Sequence, residues 1–173
     1  MSVPTGPVQE TDRFDLYMPI EAYDQENRDL LLDEKVTQYI PFLHTLAKDN
    51  DAFSRRRCTH RSQCLAGEGA FFDVVHRESG EYMASSGFRE MHLDEKWAEW
   101  GIIVSSKWQR KGVCDEVYEG CIAWARSKGL DKVTASTWPI NKGMLAFFDK
   151  KGWKVVGRHS NDYGDWVNLE IKL

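Results

Sequence analysis

The pattern of apolar residues along the 173-residue chain predicts an α/β domain with a mixed sheet of six to seven strands flanked by helices. Three observations predict it. From residue 70 onward, stretches with period-two alternation are interleaved with stretches of 3.6-residue period. One apolar strand, Trp97 to Val104, runs into a short basic turn containing Gly112. That turn opens a helix whose apolar face carries Cys114, Val117, Tyr118, Cys121, Ile122 and Ala125.

Each element follows from local chemistry. Residues 1–11 are polar, with Pro4, Gly6 and Pro7, and read as a flexible tail preceding one domain at 12–173. Arg13 to Met18 alternates as a first strand that Pro19 stops. Glu21 to about Ala47 reads as helical with a break near Asp33 or Pro41, and Asp51 to Leu65 as another helix. Its Arg55-Arg56-Arg57 run is expected to be a solvated face. Phe71 to His76 and Tyr82 to about Arg89 form a hairpin across Glu78-Ser79-Gly80-Glu81, and a loop from Glu90 to Lys96 leads into Trp97. The central helix ends near Lys128-Gly129, and Lys132 to Trp138 is a strand closed by Pro139. Asn141 caps a helix running to Lys151. Trp153 to Arg158 and Trp166 to Ile171 make a last hairpin around the loop His159 to Asp165.

Composition narrows the function classes. A net charge of −4 argues against a nucleic-acid binder, and no apolar run reaches the ~20 residues of a membrane helix. Met1 to Thr11 lacks the pattern of a secretory signal, so the cytoplasm, with the nucleus open, is the expected location. Cys58, His60 and Cys64 have no standard zinc spacing, and no metal is expected.

The chemistry concentrates at the central turn. A strand that feeds a glycine turn into a helix offers free backbone N–H groups, a helix dipole and cationic side chains to one phosphate. The turn Gln109-x-x-Gly112-x-Cys114 resembles the coenzyme-A pyrophosphate loop of the GNAT N-acetyltransferase superfamily, with Cys114 in place of the usual Gly or Ala. Asn141, then Phe147-Phe148, then Gly152-Trp153 resembles the same family's Asn…Tyr-x-x-x-Gly-Phe segment.

The resemblance implies a GNAT-like fold and acetyl-CoA as co-substrate. It implies a splay between the strand carrying Glu99 and the strand from Lys132, exposing backbone groups of Ile102, Ile103 and Val104 to the pantetheine arm. Gln109 and the amides of Arg110, Lys111, Gly112, Val113 and Cys114 would hold the pyrophosphate, and the side chains of Lys107, Arg110 and Lys111 are candidates for ribose- or adenosine-side phosphate contacts. Asn141 and Phe148 are carried over as coenzyme-binding positions. Glu99 is the candidate base, with Glu90 and His92 in reserve. The family's proton-donating Tyr falls at Phe148, which leaves solvent or Tyr163 for that role. Glu90, Asp94, Glu95, Glu99, Asp162, Asp165 and Glu170 favour a cationic small-molecule or peptide amine as acceptor. A non-catalytic acyl-CoA sensor is the competing reading. A monomer or a homodimer is expected, with no nucleic-acid or membrane partner.

Overall fold

A computed structural model describes residues 4–173. Eight strands form one sheet in the order β1-β2-β3-β4-β5-β6-β8-β7. They are β1 (Gln9–Glu10), β2 (Phe14–Tyr17), β3 (Ala70–His76), β4 (Tyr82–His92), β5 (Trp97–Val104), β6 (Lys132–Thr137), β7 (Lys154–Asn161) and β8 (Gly164–Lys172). The helices are α1 (Asp24–Leu32), α2 (Glu34–Thr37), α3 (Pro41–Lys48), α4 (Asn50–Ala66), α5 (Val113–Ser127) and α6 (Lys142–Lys150). Every pairing is antiparallel except β5 with β6.

The mixed α/β class holds, with one strand more than expected. The addition is β1, in a segment read as a flexible tail. Val8 N–H donates to Leu16 O, and Gln9 and Glu10 pair with Leu16 and Asp15. Thr11 lies so close to α5 that a Cβ on Gly120 would come within 2.8 Å of its methyl group. Residues 1–3 of that tail lie outside the described residues.

The helical region between residues 21 and 47 breaks at both expected places. Asp33 ends α1 and caps α2 by accepting from Lys35 N, while Pro41 opens α3 at a position that needs no N–H. The final hairpin is longer than expected: β7 runs through His159 to Asn161, leaving only Asp162 and Tyr163 as its tip.

The sheet has two differently filled faces. On one, α5 and α6 bury Trp100, Val117, Tyr118, Cys121, Trp124, Phe148 and Trp153 against Phe72, Phe88, Val133 and Leu169. At ~1.5–3 kcal/mol per fully buried large apolar side chain, this aromatic layer is the main source of stability. On the other face, α1 to α4 cover the β3–β5 half through a smaller cluster of Leu31, Ala47 and Phe53, joined by Ile103.

That second face is held largely by charge. Arg57 is 1% exposed; it donates to both oxygens of fully buried Asp73 at 3.0 and 2.7 Å and to Asp24 at 2.6 Å. Tyr82 donates to Asp73, Asn27 donates to Tyr82, and Arg61 also reaches Asp24. Burial opposes the charge of Arg57, but its bonds to Asp73 and Asp24 outweigh that and raise its pKa. Of the arginine run expected to be a solvated face, only Arg55 is exposed, and Arg57 is the centre of this clamp. Its partners lie 16 and 33 residues away in sequence, where a helix pattern carries no trace of them.

His60 stacks on Phe71 at 3.6 Å, and burial together with Arg56, Arg57 and Arg61 pushes its pKa down from 6.5 to about 2. The folded protein therefore keeps His60 neutral while the unfolded chain protonates it. Its contribution is complete above pH 6.5 and is lost as pH falls below that value, at up to ~1.4 kcal/mol per pH unit. Urea unfolding at pH 7.5, 6.5, 5.8 and 5.2 measures this slope. His60→Phe flattens it over that window, whereas a slope unaltered in the variant would assign the loss to other groups.

Candidate active site

The site begins where two strands part. Trp97, Ala98 and Glu99 of β5 pair with Lys132, Val133 and Thr134 of β6, and there the pairing stops. Past that point β5 stays with β4 as far as Val104, and β6 stays with β8 as far as Thr137. A wedge opens inside the sheet. Ser105 N donates to Met83 O at 2.9 Å, which fixes the alternation of the β4–β5 ladder. Ile103 exchanges its bonds with β4, while the N–H and C=O groups of Ile102 and Val104 face the wedge. Their side chains point to the α5 face, and that of Ile103 to the α1–α4 face. Of the three residues expected to line the splay, Ile102 and Val104 offer backbone groups to it, and Ile103 supports them from the other side. Gln109 Nε2 reaches back to donate to Val104 O at 3.1 Å.

Behind the wedge lies the basic turn. A short 3₁₀ segment, Ser106–Trp108, leads through Gln109 to Arg110 at φ 60° and Gly112 at φ 76°, and α5 starts at Val113. The left-handed conformation at Gly112 is what lets the chain turn into the helix without a Cβ clash. Glu116 N bonds Gly112 O, so the amides of Val113, Cys114 and Asp115 precede the first helical acceptor and point out of the helix end. The acids of that first turn look away. Asp115 meets Lys150 and Lys151, and Glu116 meets Thr11 and Arg13. Lys111 lies over the Trp108 ring at 4.8 Å and Arg110 is exposed, while Lys107 is bound to Glu81 at 2.7 Å. Cys114 is a packing residue, since burial beside Asp115 pushes its thiol up to about 12.

Four hydrogen bonds unseen in the sequence hold this turn in place. Ser106 Oγ donates to Asp33 at 2.5 Å, Trp108 Nε1 and Lys107 donate to Glu81, and Arg13 donates to Lys111 O at 3.3 Å. The hydrogen bond from Ser106 lowers the pKa of Asp33 against the effect of burial, and the α2 amides lower it further.

On the open face beside the wedge, Glu99 is only 12% exposed, with both oxygens bound by Arg89: Nε at 2.8 Å on one and Nη2 on the other. A β-bulge sets this up. The register passes from Phe88↔Trp100 to Glu90↔Glu99, so Arg89 and Glu90 share one position opposite Glu99. Two carboxylates directly opposed repel, and Arg89 offsets that. His92 stacks on Trp97 at 4.2 Å and lies 4.0 Å from Glu95.

The downstream positions are more structural. Asn141 caps α6 by accepting from Met144 N and donates to Thr137 Oγ1. Phe148 is buried between Trp100 and Trp153 and carries no polar atom. Tyr163 stands 58% exposed at the tip of the last hairpin, its ring 4.8 Å from Phe42 of α3. Several of the acids expected to attract a cation already have partners: Glu170 lies 3.9 Å from Lys132, Asp165 accepts from Ser160, and Glu95 accepts from Trp97. Among the described residues no group of three or more His, Cys, Asp or Glu is arranged to hold a metal, and no helix is long and apolar enough to cross a membrane.

The wedge followed by a glycine-opened helix is the geometry expected from the resemblance, and the family model of the acetyltransferase (GNAT) domain matches residues 16–154. The chain belongs to the GNAT acetyltransferase family. The match spans β2 to the start of β7 and includes the wedge, the turn and α6. Solved GNAT structures share the fold at low identity. The microcin C7 self-immunity acetyltransferase MccE, in complex with acetyl-CoA and AMP, superposes with a TM-score of 0.83 at 14% identity, covering 99% of both chains. RimL, a ribosomal L7/L12 α-N-protein acetyltransferase in complex with coenzyme A, also gives 0.83 at 12% identity over 94% of this chain and 96% of its own. Spermidine N-acetyltransferase from Vibrio cholerae, with coenzyme A and spermine, gives 0.77 at 13% identity over 92% and 95%. No curated protein matches the sequence.

Within this GNAT domain, the Asp33–Ser106 bond ties the α1–α2 wall to the turn. Asp33→Ala and Ser106→Ala are expected to be non-additive in denaturant unfolding, with a coupling of about 1 kcal/mol. Strict additivity would mean that the bond contributes nothing.

Proposed function

We propose that the protein transfers the acetyl group of acetyl-CoA to a primary amine by direct attack within a ternary complex. The parting of β5 from β6 after Glu99 carries this reading, because it leaves the N–H and C=O of Ile102 and the N–H of Val104 free to pair with an extended amide-bearing chain, the Val104 carbonyl being taken by Gln109. The pantetheine arm is such a chain. The free amides of Val113 to Asp115, with Arg110 and Lys111, suit the pyrophosphate at its far end. The residues present therefore fit acetyl-CoA as donor substrate. The related folds with coenzyme bound, and with a protein N-terminus or spermidine as named acceptors, support an amine acceptor.

In this reading the acceptor arrives protonated and gives a proton to Glu99, directly or through one water. The freed amine attacks the thioester carbonyl, whose oxygen takes on charge beside the Val104 amide. The carbon–sulfur bond breaks, the nitrogen releases its second proton to solvent to leave the neutral amide, and the thiolate takes a proton from solvent or from Tyr163. Most of the acceleration comes from holding amine and thioester in line. The apolar Phe148 favours one competing reading, a non-catalytic acyl-CoA sensor. A thiol-release assay over a panel of amines separates the two, since turnover with any amine excludes the sensor.

Two variants test the assignments. Gly112→Val forces a β-branched residue to φ 76° and is expected to weaken acetyl-CoA binding at least about ten-fold in titration calorimetry. Undiminished binding would defeat the loop assignment. Glu99→Gln is expected to lower kcat by about 10²–10⁴ with acetyl-CoA affinity retained, and to flatten the rise of rate with pH. An unchanged pH profile would remove Glu99 from the role of base.

A further inference from the structure

The open face beside the wedge carries charges in balanced pairs. Glu99 is matched by Arg89, and Glu170 by Lys132, whose ammonium also lies 5.9 Å from the centre of the Trp97 ring. Exposure within the first pair is unequal. Glu99 is 12% exposed and Arg89 57%. Arg89 uses Nε and Nη2 on Glu99; among the described residues its Nη1 has no hydrogen-bond partner and remains available to a ligand. The bulge at Phe88/Glu90 fixes this cation opposite Glu99, at the closed end of the wedge and bonded to the carboxylate proposed as base. A polycation brought to Glu99 meets this guanidinium first. An amine with its own anionic group meets a complementary pair, with Glu99 and exposed Glu90 for the ammonium and Arg89 for the anion.

We infer that Arg89 is a specificity-determining residue that selects acceptors whose amine lies close to a carboxylate or phosphate and discriminates against polyamines. The inference rests on the acetyltransferase reading above. It reverses the lean toward a cationic acceptor drawn from the count of acids in the sequence, because that count omits the cations paired with them. Binding of the acceptor's anion draws Arg89 from Glu99 and frees a carboxylate oxygen for the ammonium, so the same event that selects the acceptor prepares the base.

The test is a thiol-release assay with two charge-matched series. One comprises three-residue peptide amides with Ser first and Asp, Ala or Lys second. The other comprises O-phosphoethanolamine, ethanolamine and 1,3-diaminopropane. In the series that supports turnover, kcat/KM of the anionic member is expected to exceed that of the neutral member by about ten-fold, with the cationic member lowest. Arg89→Gln removes the ranking, Arg89→Lys keeps its order with a smaller span, and Arg89→Glu inverts it. Acetyl-CoA titration of each variant serves as the fold control. A wild-type ranking with the neutral or cationic member first, or a ranking that survives Arg89→Gln, overturns the inference and leaves the transferase reading intact. Acetyl-CoA binding without turnover of any amine overturns that reading and this inference with it.

Discussion

The pairing of β5 with β6 lasts for three residues, and the rest of the site depends on where it stops. A parallel pair inside a sheet ordinarily continues, because each lost ladder bond leaves a donor and an acceptor without partners. Here β6 follows β8 and β5 follows β4, so that past Glu99 and Thr134 the two halves of the sheet diverge. Each half is complete on its outer side, which keeps the wedge from collapsing. The unmet bonds of Ile102 and Val104 are a standing demand for an extended chain, and Gln109 meets that demand only at the Val104 carbonyl.

The turn behind the wedge is held from three sides by groups distant in sequence. Arg13 comes from the start of the sheet, Asp33 from the α1–α2 junction, and Glu81 from the β3–β4 turn. The Arg57–Asp73 clamp does comparable work one layer away, locking α1 and α4 onto β3 and β4. A single guanidinium in a buried position, fully bonded to two carboxylates, gives those helices a fixed seat.

Much of this was legible in the sequence wherever one residue's neighbours in space are also its neighbours in the chain. The apolar strand Trp97 to Val104, the turn at Gly112, the α5 stripe and the Asn141 cap are of that kind, and the family resemblance rested on them. The misreadings share a cause as well. Arg57 looks like a surface charge, and Arg89 carries no sign of a partner, until strands and helices distant in sequence bring carboxylates to them. A bulge leaves no signature in alternation, so Arg89 appeared as one end of a hairpin strand. The short β1 has too few residues to show a period, and only its contacts with β2 and α5 reveal it.

Amide hydrogen exchange reads out whether the wedge takes an extended amide chain along β5. Saturating acetyl-CoA is expected to slow exchange at the Ile102 and Val104 amides, while the Ile103 amide, already bonded to β4, changes little. Exchange at Ile102 and Val104 that stays the same with acetyl-CoA bound would contradict that pairing.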